Sequence, residues 1–343
     1  MSHNIPQHPT VHPFEFHGKS GEFFKIWIVN ICLTILTLGI YSAWAKVRTS
    51  QYFYGHTTLA GSSFEYTAKP MTILKGRLVA FFVIILYSLS TSFFPLITPL
   101  FIIAFLIILP WLICRSLKFR AVNSRYRNLN FNFHGTYGQA FCNYLLFPLL
   151  SVFTLYLIYP LIIAIQNRWY VNNSSYGQTK FTSNLSAKPI FFACFIAALV
   201  IIVAFAGFFG LILGGNLISD IENNPLAPFL GIALLPVYYG VYVYVHAKIV
   251  NATMNSTKLD QHSFESNLKA SKLLWLLITN TLAIMVSLGL LIPWTHIRMA
   301  RYKADCTQFV ATGNLDEFTR DAAGHQNALG EELGDVMDLE FGI

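Results

Sequence analysis

The stretch GIYSAWAKVRTSQYFYG, residues 39–55, joins a long apolar run to a polar segment that contains glycine. Trp44, Arg48 and Tyr52 stand four apart, so a helix running through the stretch would carry all three on one face. Two readings are open. In one, this is the interfacial end of a membrane helix, with Trp44 in an aromatic belt and Arg48 at headgroup depth. In the other it is a headgroup site, where Arg48 pairs a phosphate.

Composition sets the context. Of 343 residues, 55% are hydrophobic and only 11% charged, whereas an ordinary soluble domain carries about 25% charged residues. So little charge cannot solvate a globular surface of this size, and a polytopic membrane protein is the direct reading. The net charge is +7. Eight of the sixteen acidic residues fall in 316–343 (Asp316, Glu317, Asp321, Glu331, Glu332, Asp335, Asp338, Glu340), against one basic residue, Arg320. The basic excess elsewhere lies beside apolar runs, as suits a cytoplasmic face and its anionic lipids. It is too scattered for a nucleic-acid surface. Cys32, Cys114, Cys142, Cys194 and Cys306 form no CxxC pair and read as small hydrophobes. His3, His8, His12 and His17, on a proline-containing start, read as solvated, with no metal site. No cleavable signal peptide is visible, and the run from Phe23 would act as an uncleaved anchor.

Seven apolar stretches are long enough, or nearly so, to cross a bilayer: 23–43, 78–95, 97–114, 140–165, 190–214, 227–246 and 272–297. The connection GNLISDIENNPLA, from Gly215, carries Asp220 and Glu222 and no basic residue, whereas the other long connections are basic. The positive-inside rule then sends the acidic loop outward and the basic ones inward. If 23–43, 140–165 and 272–297 each cross once, basic loops fall on both sides. One escape is that 140–165, broken by Pro148 and Pro160, dips in and returns.

The opening stretch recurs. A shift of 67 lays Trp44, Arg48 and Tyr52 on Trp111, Arg115 and Phe119, Gly61 on Asn128, and Phe64 and Tyr66 on Phe131 and Phe133. A shift of 200 reaches Tyr244, Lys248 and Phe264, and one of 250 reaches Trp294, Arg298 and Tyr302 and lays Asn30 on Asn280. A shorter copy carries Arg168, Tyr176-Gly177 and Phe181, and FEFHG at 14–18 echoes FNFHG at 131–135. Shared shifts imply one structural unit used several times. After each basic residue the chain alternates, as in HTTLAGSSFEYT (56–67), and Gly61 and Asn128 suit a tight turn. The expected fold is mainly α: a polytopic helix bundle of about seven apolar segments, with internal repeats and short β-hairpins at the membrane–cytoplasm junctions. The expected organisation is a polar tail over 1–22, a repeated transmembrane domain over 23–315 and an acidic tail over 316–343.

FEFHG, VNICLTILTLGIYSAWAKVRTSQYFY (29–54) and the second FHG together resemble the YjgN family of bacterial inner-membrane proteins, over roughly 14–310. The resemblance implies a multi-pass inner-membrane protein and supplies no reaction, substrate or catalytic residue.

The candidate interface or headgroup contacts are therefore Trp44, Arg48, Tyr52, Trp111, Arg115, Trp294, Arg298 and Tyr302. Asn30 and Asn280 are candidate intramembrane polar contacts, either helix–helix hydrogen bonds or a substrate site. No nucleophile–base pair, HExxH or phosphate-cradling loop is present, so neither an enzyme nor a cofactor is expected. The expected function is transport or binding of a small solute or lipid, with a site near Asn30 and Asn280. The alternative is a membrane scaffold that presents cytoplasmic hairpins to a protein partner. The expected partners are the lipid bilayer and its anionic headgroups, with a homo-oligomer or protein partner as a further option and no nucleic acid.

Overall fold

The apolar run from Phe23 does not continue as one helix. α1 (Ser20–Leu36) stops where Leu38 and Gly39 take φ of 51° and 93°. Gly39 N–H donates to Thr34 O at 2.8 Å and Leu38 N–H to Ile35 O at 3.1 Å, the paired bonds of a Schellman ending. The chain then turns into α2 (Ser42–Gly55). The run at 140–165 behaves likewise. α5 (Tyr137–Phe141), a π-turn at Cys142–Leu146 and α6 (Phe147–Phe153) lead to positive φ at Leu155 and Tyr156, and then to α7 (Tyr159–Asn172). The run at 272–297 divides into α10 (Ala270–Val286) and α11 (Ile292–Asp305) around Leu288 and Gly289. Pro160 and Pro293 open the second helices at positions where no N–H is needed.

Two further pairs are longer: α3 (Pro70–Phe93) with α4 (Thr98–Val122), and α8 (Lys188–Gly214) with α9 (Leu235–Asn255). The computed structural model describes residues 9–214, 234–313 and 315–323; the acidic connection after Gly214 lies outside them. Neighbouring pairs pack in sequence, and α1 closes the circle against α11.

Between the pairs run ten short strands: β1 (Thr10–Phe16), β2 (Thr57–Leu59), β3 (Ser62–Tyr66), β4 (Ser124–Tyr126), β5 (Leu129–Phe133), β6 (Ser174–Tyr176), β7 (Thr179–Ser183), β8 (Thr257–Leu259), β9 (His262–Ser266) and β10 (Thr307–Ala311). All pairings are antiparallel, and β1 pairs with both β2 and β10, which closes a barrel. Gly61 (φ 75°) and Asn128 (φ 64°) sit in the turns, after Ala60 and Arg127 also at positive φ, as a type I′ hairpin requires. Five equivalent backbone bonds tie each strand exit to a helix end: His17 N–H to His56 O, Thr67 to Asn123, His134 to Asn173, Asn184 to Ser256 and Asn267 to Cys306. A last helix, α12 (Leu315–Ala323), follows β10.

This overturns the expected bundle of about seven segments with separate hairpins. Among the described residues three helices are long and apolar enough to cross a membrane: Pro70–Phe93, Pro95–Val122 and Lys188–Gly210. The runs 23–43, 140–165 and 272–297 are helix–turn–helix units that leave the barrel and return to it. Hydropathy misses the turns because their residues are Leu38, Gly39, Leu155, Tyr156, Leu288 and Gly289, apolar or neutral themselves. The hairpins merge because each strand satisfies its second edge on the next hairpin.

The FHG echo has a packing cause. A Cβ on Gly135 would lie 2.5 Å from the Phe133 ring and 2.6 Å from Trp169, and one on Gly18 would lie 2.5 Å from the Phe16 ring. Phe133 and Trp169 form a buried edge-on pair 5.2 Å apart that this glycine admits. Gly135→Ala is therefore expected to destabilise the protein by about 1–3 kcal/mol, read by thermal unfolding in detergent. Gly138→Ala, with open space around it in α5, should be neutral or stabilising.

Candidate functional site

Side chains alternate along a strand, and one inward pair comes from each seam between hairpins. Phe14 faces Leu59, Phe64 faces Tyr126, Phe131 faces Tyr176, Phe181 faces Leu259 and Phe264 faces Phe309. Ring centroids are 4.7 Å apart for Phe64–Tyr126, 5.1 Å for Phe131–Tyr176 and 5.1 Å for Phe264–Phe309. Each such pair contributes about 0.2–1 kcal/mol. Eight strands make an interior that side chains just fill. Ten strands make a wider one, and a chamber of about 400 Å³ remains inside these rings.

The chamber wall is apolar because its phenols bond to the strands. Tyr126 Oη donates to Leu59 O at 2.7 Å and Tyr176 Oη to Tyr126 O at 3.0 Å. Burial raises the Tyr176 phenol pKa, so it stays a donor. The floor is α12. Leu315, Phe318 and Thr319 line the chamber, and the Phe318 ring stacks on Tyr176 at 6.3 Å. The roof is built from helix ends: Tyr54 of α2, Arg120 of α4, Tyr170 of α7, and Thr253 and Met254 of α9. It is not sealed, since Tyr170 keeps 40% and Met254 37% of its surface accessible. Arg120 is the one charged side chain among the described lining residues. The volume falls in the range of small-ligand pockets, about 300–1,000 Å³.

The sequence-derived candidates lie elsewhere. Tyr52 is a staple: Lys19 N–H donates to its Oη at 2.9 Å, and that hydroxyl donates to Lys19 O at 3.0 Å. Tyr302 makes the same pair of bonds with Lys269. Trp44 stacks on Tyr41 at 6.1 Å, and Arg48 is exposed. Trp111 and Arg115 lie one turn apart on α4, with Trp111 42% exposed. Arg298 lies over Trp294, 5.1 Å from the ring centre, and donates to Asn280 Oδ1 at 3.1 Å. Asn30 is buried, with Nδ2 3.5 Å from Ala45 O and Oδ1 without a partner. Both asparagines thus bond within their own helix pair, outside the chamber. The signal for the inward aromatics lay in the sequence: Phe64, Phe131 and Phe264 recur under the shifts of 67 and 200, Phe181 belongs to the shorter copy, and Phe14 to the FEFHG echo.

A histidine holds the floor. His262 is 3% exposed, accepts from Thr312 N–H at Nδ1 (3.0 Å), and meets the Phe318 ring edge-on at 4.5 Å. Burial lowers its pKa, and only nearby Asp260 opposes that. The unfolded chain takes up this proton near pH 6.5 while the folded one resists. The contribution is therefore full above the unfolded pKa and is lost as pH falls toward the folded one. Hydrogen exchange of α12 is expected to speed up between pH 7.5 and about pH 5, and His262→Phe should flatten that dependence.

Similarity to known proteins is consistent across the chain. The model of a family described as a bacterial protein of unknown function, DUF898, matches residues 11–336. A protein of Salmonella typhimurium named inner membrane protein YjgN is 25% identical over 373 aligned residues, covering 92% of this chain and 93% of the relative. Proteins of the same name from Escherichia coli O157:H7 and Escherichia coli K12 are 31% and 30% identical over 125 residues, 36% of this chain and 31% of each relative. No solved structure matches.

Proposed function

The chain belongs to the DUF898 family of bacterial proteins of unknown function, and from that premise we propose a multi-pass inner-membrane protein that binds a small lipophilic molecule or lipid in the barrel chamber. Exchange with the bilayer would run through the ring of helices above it. The observation that carries this reading is the chamber of about 400 Å³ walled by five inward aromatic-containing pairs. The relatives' names and three long apolar helices support the membrane setting. The basic links next to the barrel favour a barrel on the cytoplasmic side.

The wall chemistry selects the ligand class. With one charged residue, Arg120, at the roof, an apolar body with a single anionic or hydrogen-bonding end fits better than a metal ion or sugar. Movement of ligand through the ring is the transport form of the proposal. We also read the five successive helix-pair and hairpin units as an internal repeat, which is how ten short strands come to close with equivalent seams. The scaffold alternative loses one route: in a closed barrel no strand edge among the described residues is left for a partner to extend.

The test is occupancy. The protein, purified in mild detergent, is analysed by native mass spectrometry and its extract identified. Wild type should carry a lipophilic molecule, and Leu59→Trp with Leu259→Trp, which fill the chamber, should lower its retention by about tenfold or more. Equal retention by wild type and the filled variant would end the proposal.

A further inference from the structure

A second cavity lies outside the barrel, beside the last helix pair. α11 forms its floor, presenting Trp294, Ile297, Arg298, Arg301, Tyr302 and Asp305 at helical spacing. Lys272 and Leu276 of α10 flank it, with Lys19 and Ser20 at the start of α1. The cleft encloses about 460 Å³.

Its charge is one-sided. Four cations line it, Lys19, Lys272, Arg298 and Arg301, against one carboxylate, Asp305. Lys19 also meets Glu22 at 3.4 Å, an exposed contact. The others are held by neutral groups that leave their charge in place. Arg298 donates to Thr279 Oγ1 at 2.7 Å and Asn280 Oδ1 at 3.1 Å. Arg301 donates to Gly18 O at 3.4 Å, and the Lys272 ammonium sits 5.2 Å from the centre of the Tyr302 ring. Among the described residues no carboxylate pairs with Lys272, Arg298 or Arg301. Fixed, uncompensated guanidinium and ammonium groups in a cleft call for an anion, and phosphate oxygens suit the guanidinium fork best.

Depth decides between a dissolved anion and a lipid. α11 begins just after the turn whose Leu288 is 94% and Leu290 55% exposed, leucines suited to the apolar layer. It ends at the barrel, so the cleft runs across the headgroup zone with Trp294 and Leu276 at its apolar end. A general membrane anchor would recur at every junction, and this one does not. Under the shift of 250, Lys272 corresponds to Glu22 and Arg301 to Gln51. The tryptophan, the first arginine and the tyrosine are shared, as Trp44, Arg48 and Tyr52, but the lysine and the second arginine are not.

We propose that this cleft is a specific site for an anionic phospholipid, with the phosphate between Lys272, Arg298 and Arg301 and the start of an acyl chain against Trp294 and Leu276. It is separate from the barrel chamber and independent of what that chamber holds. A zwitterionic lipid would bring its own ammonium toward a cationic wall, so the site discriminates phosphatidylglycerol from phosphatidylethanolamine.

The experiment places the full chain in nanodiscs of phosphatidylglycerol and phosphatidylethanolamine, then counts retained lipids by native mass spectrometry after release. Wild type should retain phosphatidylglycerol well above its bulk share. Lys272→Gln with Arg301→Gln should reduce that enrichment by about thirtyfold, the effect of two interfacial charges. Lys272→Arg with Arg301→Lys should keep most of it, and Lys258→Gln, an exposed lysine on β8, should leave it unchanged. Retention in proportion to the bulk mixture, or enrichment that survives the double neutralisation, would overturn the site. Inorganic phosphate bound by detergent-purified wild type without phosphatidylglycerol enrichment would overturn the lipid assignment in favour of a soluble anion.

Discussion

The pairing of the first strand with the last is the contact on which the rest of the architecture depends. Thr10–Pro13 lie against Ala311–Gln308, and Phe14–Phe16 against Leu59–Thr57. β1 thereby satisfies two edges at once. Without it β2 and β10 would each expose a row of unpaired amides and carbonyls. With it, every helix pair must start and finish on the same layer, because both of its ends run into the barrel. The same closure brings α1 against α11 and completes the ring of helices.

Closure also creates both cavities. Ten strands of three to seven residues surround more space than their inward side chains fill, and the remainder is the aromatic chamber. The meeting of α1 with α11 brings Lys19 from one end of the chain beside Arg301 from the other. One cavity is walled by rings and carries a single charge; the other is walled by cations. The proposed exchange with a bilayer rests on this pairing of an apolar chamber with a cation-lined cleft.

Much of this was legible in the residues, and the failures have local causes. The turns at Gly61 and Asn128 follow from their tolerance of positive φ, and both occupy that conformation. The aromatics singled out by their spacing, Phe64, Phe131, Phe181 and Phe264, all line the chamber. The stripe Trp294, Arg298, Tyr302 does share one face of a helix and one cleft. The number of crossings was not legible, because reversals at Leu38, Leu155 and Leu288 place apolar residues in left-handed turns where glycine would be the usual signal. Nor was closure, because β10, one partner of strand β1 (TVHPFEF), lies some 300 residues away and pairing register leaves no local mark. Asn30 and Asn280 occupy equivalent places, yet only Asn280 meets its arginine, a difference of side-chain placement that spacing cannot carry.

The claim that all helix pairs return to one barrel is open to a direct measurement. In a cysteine-free background, single cysteines at Ala60, Asn128, Gln178 and Asp260, one per hairpin turn, are tested with a membrane-impermeant thiol reagent in intact spheroplasts and in inverted vesicles. All four should react in inverted vesicles and be protected in spheroplasts. Labelling of any one of them from the opposite side would contradict the single barrel and the account built on it.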